Sequence, residues 1–201
     1  MPKIVTEEEK KELREAMYHH TIQLIKEKGM KKITVEDIIQ AVGIAKGTFY
    51  NYYRSKEELL FHVIQKSEQK LFQTILAIDY KTGDFREKVT TALKEIYLSK
   101  DSIVLYLRPE DMESLTEKLP AKAKASVEQK QTNNFQQIAE LFGIDSTDLE
   151  TFGVISYLMD CLHFTAVNVD YGKAARQISL ELIVDTLADF LVDKKTKKEH
   201  N

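Results

Sequence analysis

Proline occurs only at positions 2, 109 and 120 of the 201 residues. Stretches 3–108 and 121–201 therefore lack the residue that breaks helix interiors by removing an N–H donor and clashing with the preceding turn. No Asn-Gly or Asp-Gly pair is present to close a hairpin between alternating strands. The chain is expected to be all-α, with about nine helices.

Helix starts are marked by capping chemistry. Thr6 with Glu9, Thr34 with Asp37, Ser55 with Glu58 and Asp84 with Glu87 each place a capping side chain three residues before a carboxylate. Gly29 before Met30 and Gly43 before Ile44 fit left-handed helix stops followed by an apolar residue. These signals predict helices at about 6–28, 34–42, 45–52 and 55–78, with ends uncertain by ~2–4 residues. Further helices are expected at about 84–99, 102–107, 121–142, 146–169 and 173–192. The lysine-rich run 193–199 is expected to fray.

Helix 1 carries Leu13, Met17, Thr21, Leu24 and the stem of Lys28 on one face. Helix 4 carries Leu60, Val63, Ile64, Ser67, Leu71, Ile75 and Ile78 in the same way. Between them, two short helices are joined by Gly43-Ile44-Ala45. That is the layout of a helix-turn-helix, which is too small to hold its own core and needs helices 1 and 4 behind it. Phe49 and Tyr53, four apart, are expected to anchor helix 3 inward. Lys46, Gly47, Thr48, Tyr50, Asn51 and Tyr52 then fall on its outer faces. A lysine suits phosphate or guanine acceptors, a glycine allows close backbone approach, and tyrosine hydroxyls suit phosphate oxygens. Thr34 and Lys56 stand at helix N-termini, where free amides favour phosphate.

Charge supports an anionic partner only locally. The whole chain has a formal net charge of −3, but residues 26–56 hold 7 Lys/Arg against 3 Asp/Glu. This patch alone points only to an anionic partner; with the helix-turn-helix, double-stranded DNA is the partner expected.

The run 34–60, TVEDIIQAVGIAKGTFYNYYRSKEELL, resembles the N-terminal motif of the TetR family of transcriptional regulators. The matches are Thr34, Ile38, Ala41, Gly43, Ile44, Gly47, Phe49, Tyr50, Tyr52, Tyr53, Ser55, Lys56, Glu57 and Leu59. Two positions depart: Ala45 stands where the family often has Ser, and Asn51 where His or Tyr is frequent. The resemblance implies a helix-turn-helix DNA-binding domain over residues 1–56. It also implies a helical effector-binding and dimerisation domain over 57–201. A homodimeric repressor, released from a pseudo-palindromic operator by a small-molecule effector, is the implied function.

The last helix is apolar around most of its circumference, with Glu181, Asp185 and Asp189 as its polar stripe. A helix of that kind needs two partners. A two-fold interface is therefore expected from Phe152, Ile155, Met159, Leu180, Ile183, Val184, Leu187, Phe190 and Leu191. The effector pocket implied by the resemblance has Tyr97, Tyr106, Tyr157, Asp160, His163 and Asn168 as its candidate polar lining.

An enzyme reading has little to stand on: the chain has no Gly-rich phosphate loop, G-x-S-x-G or H-E-x-x-H motif. Asp160 and His163 have the i, i+3 spacing of a bundle metal pair, but such a site needs ligands from further helices. No metal and no cofactor is expected. The rival reading is a helical protein-interaction or small-molecule- or metal-binding bundle without sequence-specific DNA binding. Hydrophobic content of 43% with 30% charge is that of an ordinary globular chain. The single Cys161 excludes an internal disulfide framework. No apolar run approaches the roughly 18 residues of a membrane span. The first residues lack the apolar core of a signal peptide, so a cytoplasmic protein with no membrane partner is expected.

Overall fold

The structure, a computed structural model, describes residues 6–78, 83–99, 102–118, 137, 139–140, 142, 144, 147–167 and 171–199. Over these residues the chain is helical, without strands. Its helices are α1 (Glu7–Lys28), α2 (Val35–Val42), α3 (Lys46–Tyr50), α4 (Lys56–Leu76), α5 (Phe85–Leu98), α6 (Pro109–Glu117), α7 (Leu149–Val167) and α8 (Lys173–Glu199). Short 3-10 turns occupy Met30–Lys32 and Val104–Tyr106.

The caps explain the starts. The Glu9 amide donates to Thr6 Oγ1 while the Thr6 amide donates to the Glu9 carboxylate, a reciprocal box. Thr34 and Asp37 repeat it at α2. At α4 the Glu58 amide donates to Ser55 Oγ, and the Arg54 amide donates to the Glu58 carboxylate. Gly43 ends α2 in the left-handed region, at φ 76° and ψ 36°. The amides of Gly43 and Ile44 both donate to the Ile39 carbonyl there.

Several expectations change. Gly29 has a positive φ of 73° but an extended ψ of 156°; it feeds the 3-10 turn rather than making a left-handed cap. The helix expected at 102–107 is only the 3-10 turn. The helical segment begins instead at Pro109, whose missing N–H is harmless in a first turn. Proline there is a start signal, not a break. Helix α8 continues through 193–199 instead of fraying. Within that stretch Lys194 Nζ sits 3.4 Å from Asp148 Oδ2, and Lys195 Nζ lies 3.6 Å from the Phe85 ring centre. The helix expected at 121–142 lies almost wholly outside the described residues.

The chain divides into two compact units. The first comprises Met1–Ser67 with Tyr106–Leu119. Its core takes Met17, Ile22 and Ile25 from α1, Ile33 and Ile38 around α2, Phe49 from α3, and Leu59, Val63 and Ile64 from α4. Helix α6 is tied into this unit by charge: Lys31 Nζ lies 3.0 Å from Asp111 Oδ1, and Lys118 Nζ lies 3.4 Å from Glu57 Oε1.

The second unit comprises Glu68–Leu105 with Pro120–Asn201. Here α8 packs along both α5 and α7. Val89 and Leu93 of α5, Leu162 and Ala166 of α7, and Val184 and Leu187 of α8 are buried. The carboxylates of Asp189 and Asp185 pair with Arg86 and Lys94 of α5, at 2.5 and 3.8 Å. Much of the polar stripe on α8 thus serves its neighbour.

Candidate nucleic-acid interface

Helix α3 is five residues long, so its position rests on anchors rather than on its own stability. Phe49 is fully buried, and Tyr53 just beyond the helix is 6% exposed. Their ring centres are 6.2 Å apart. Burial, helped by the nearby Glu58 and Glu15 carboxylates and opposed by Arg14, holds the Tyr53 phenol above its ordinary range. Burying a ring of this size contributes about 1.5–3 kcal/mol, enough to seat one helical turn. The inward pair expected from helical phase is the pair found.

The opposite face is open. Lys46, Gly47, Tyr50 and Asn51 are exposed, and Thr48 and Tyr52 are half-buried. A Cβ built on Gly47 meets no heavy atom within 4 Å. No packing constraint inside the fold demands glycine there. Ala45 starts α3 with no side-chain cap, as the missing hydroxyl implies.

Neighbouring groups hold the interface in place. Thr34 is exposed, but its hydroxyl is engaged with Asp37. The Asp37 carboxyl is held down to about 2, first by Lys28 and then by the Thr34 amide. Lys56 Nζ donates to the Ile33 carbonyl at 2.7 Å, pinning the start of α4 to the entry of α2.

Two residues of this surface escaped the sequence reading. Arg14 of α1 lies with its guanidinium carbon 5.6 Å from the centre of the Tyr52 ring. Glu36 of α2 lies with Oε1 2.5 Å from Lys46 Nζ. Neither partner is a helical neighbour in sequence, so no local spacing marks either pair.

In the second unit, the nine residues expected at a two-fold interface are divided. Leu180, Val184, Leu187 and Leu191 are buried in the unit's own core. Phe152, Ile155, Ile183 and Phe190 are half-buried, and Met159 is exposed. The apolar surface left open belongs largely to other residues: Tyr157, Phe164 and Val167 on α7, and Ile178 and Leu182 on α8. Helical phase is the reason, because the side of α8 facing α5 and α7 takes the Leu180–Val184–Leu187–Leu191 stripe.

Of the six pocket candidates, five lie within the described residues. Tyr97 is half-buried in the second unit, with its phenol pushed up to about 12 by burial. Tyr106 is part of the first unit, with Lys26 Nζ 5.8 Å from its ring centre. Tyr157 and Asp160 lie on the exposed side of α7, with His163 half-buried beside them. Asn168 lies outside the described residues. Among the described residues no group of three His, Cys, Asp or Glu could hold a metal ion. No described helix is long and apolar enough to cross a membrane.

An all-helical fold with a capped α2, a left-handed glycine turn and a buried-anchor α3 defines a helix-turn-helix protein. Residues 18–63 match the profile of the bacterial regulatory proteins of the tetR family. The chain carries a TetR-family helix-turn-helix domain. Over 103 residues it is 32% identical to YuxN of Bacillus subtilis (strain 168), an uncharacterized HTH-type transcriptional regulator. That match takes in 49% of this chain and 35% of YuxN. A second regulator of that description from the same organism, YvdT, is 35% identical over 77 residues, 32% of this chain and 40% of YvdT. The chain thus spans well under half the length of these curated relatives. Among solved structures, a transcriptional regulator from Rhodococcus sp. RHA1 superposes with a TM-score of 0.63 at 14% identity. It covers 90% of this chain and 96% of its own. A TetR-like regulator from Rhodococcus sp. RHA1 gives 0.53 at 20% identity, over 88% and 93%. At these identities the likeness shows a shared fold.

Proposed function

We propose that this chain is a DNA-binding transcriptional regulator that reads a pseudo-palindromic operator as a homodimer. The observation that carries the reading is the split of α3. Phe49 and Tyr53 are spent on anchoring, while Lys46, Gly47, Tyr50 and Asn51 stay open on a unit that matches the tetR profile. Helix α3 enters the major groove, and Thr34, Thr48, Tyr52 and Lys56 contribute phosphate or base-edge contacts. The two reading heads lie about one helical turn of DNA apart, ~34–36 Å, or a multiple of it.

The second unit supplies dimerisation and effector binding. The exposed apolar residues Tyr157, Phe164, Ile178 and Leu182 support a second copy there, since large apolar side chains this exposed on two packed helices call for a cover. Repression released by a small molecule is the mode that the family resemblance favours. The effector acts through α4, whose residues are shared between the two units. The protein works in the cytoplasm, on DNA, and carries out no chemical step of its own.

Selection of genomic fragments by the purified full chain, followed by sequencing, tests this reading. Enrichment of an inverted repeat with one-turn spacing supports it. Recovery with no shared sequence contradicts operator recognition. An effector that binds without altering operator affinity contradicts the release mechanism.

A further inference from the structure

Lys46 is the only cation in α3, and its ammonium is already occupied. Its Nζ stands 2.5 Å from Oε1 of Glu36, ten residues earlier on α2. Both side chains are largely exposed, at 55% and 64%. Glu36 does not cap α2, a task that Thr34 and Asp37 complete between them. Nor does the core hold it. Besides standing in the acidic first turn of α2, it neutralises the cation at the head of the reading helix.

We infer that Glu36 is an electrostatic guard on Lys46, which lowers the affinity of the helix-turn-helix for non-specific duplex DNA. The inference rests on the DNA-binding reading above. An exposed ion pair is weak, so a phosphate or guanine acceptor in the right place can take Lys46 from Glu36. The exchange has a cost that a bare lysine would not meet. It leaves a carboxylate beside the DNA backbone, and that carboxylate must take up a cation. A phosphate contact normally releases about 0.9 counterions; here the uptake at Glu36 cancels most of the release. Lys46 therefore adds little to attraction that depends on phosphates alone. It contributes only where the groove geometry makes the exchange favourable. The contact holds each group in its charged form: the Lys46 ammonium is raised and the Glu36 carboxyl lowered, each first by its hydrogen bond to the other.

The test uses the full-length protein and a fluorescent 30-base-pair duplex of mixed sequence, followed by anisotropy between 50 and 200 mM salt. Glu36→Gln keeps size and removes charge. It should tighten binding severalfold at 50 mM and steepen the slope of log affinity against log salt by about 0.9. Across that salt range the added slope amounts to about a threefold greater loss of affinity. Glu36→Gln placed in a Lys46→Gln background should then give no gain over Lys46→Gln alone. Wild-type affinity and slope in Glu36→Gln overturn the guard. A gain that survives in the Lys46→Gln background also overturns it, because general charge removal would then suffice. If neither the wild-type protein nor Glu36→Gln binds any duplex at 50 mM salt, the mixed-sequence probe and a duplex recovered by selection alike, the DNA-binding reading falls and the guard falls with it. If the wild type binds and Glu36→Gln changes nothing, only the guard falls. Equal thermal melting of the variants separates these outcomes from misfolding.

Discussion

The hydroxyls of Tyr18 and Ser67, 49 residues apart on α1 and α4, share a buried hydrogen bond of 3.0 Å. Lys66 Nζ lies 4.3 Å from the centre of the same tyrosine ring and also pairs with Glu15. These contacts together tie the two helices that back the helix-turn-helix.

Removing half of that bond should be costly. Tyr18→Phe keeps the ring but leaves the Ser67 hydroxyl buried without its partner, a penalty of about 1–3 kcal/mol. Urea unfolding should show it as a lower midpoint. Ser67→Ala added to Tyr18→Phe should recover part of the loss. Equal stability of Tyr18→Phe and wild type would mean that the bond is replaced by water.

Gly47 should separate folding from function. Its added Cβ meets open space, and alanine favours a helix over glycine by roughly 0.5–1 kcal/mol. Gly47→Ala should therefore raise the melting temperature slightly while weakening duplex binding, because the methyl group stands where DNA must approach. Improved stability with unchanged binding would place the DNA elsewhere.

Acid should loosen the α1–α2 corner at a lower pH than an ordinary aspartate allows. Asp37 titrates at about 2 in the folded chain against an ordinary 3.8, because Lys28 and the Thr34 box favour its charged form. A depressed folded value stabilises above the unfolded value and loses that contribution as pH falls toward 2. NMR titration of the Asp37 carboxyl should find a midpoint near 2, and Asp37→Asn should flatten the stability curve between about pH 4 and 2. A midpoint near 3.8 would mean the cap and ion pair are not formed in solution.

Leu182 tests the open face of the second unit. It is 62% exposed, so Leu182→Glu should leave folding intact within about 0.5 kcal/mol and shift sedimentation toward monomer. Val184, fully buried on the same helix, behaves oppositely: Val184→Ala should destabilise the bundle. Unchanged sedimentation of Leu182→Glu would remove α8 from the interface.

Which parts were legible follows from the range of the interactions. Capping pairs act across three residues, so Thr6, Thr34 and Ser55 announced their helices. Anchors four apart share a helical face, so Phe49 and Tyr53 were readable as inward. The Pro109 start was misread because proline serves both as break and as first-turn residue. The buried side of α8 was not readable, since its polar stripe serves α5 through Asp185 and Asp189 instead of marking the solvent side. Glu36–Lys46 joins α2 to α3, and Arg14–Tyr52 joins α1 to the turn after α3, so no local spacing marks either pair.

The central claim is that α3 presents a DNA-reading face, and one titration tests it most directly. Anisotropy of a duplex recovered by selection should be followed over rising salt for the wild type and for Tyr50→Phe. Tyr50 is 48% exposed, so the variant loses only a hydroxyl and keeps the fold. The account predicts wild-type affinity that falls steeply with salt, and weaker binding by Tyr50→Phe at every salt concentration. Salt-independent binding, or identical curves for the two proteins, would contradict it.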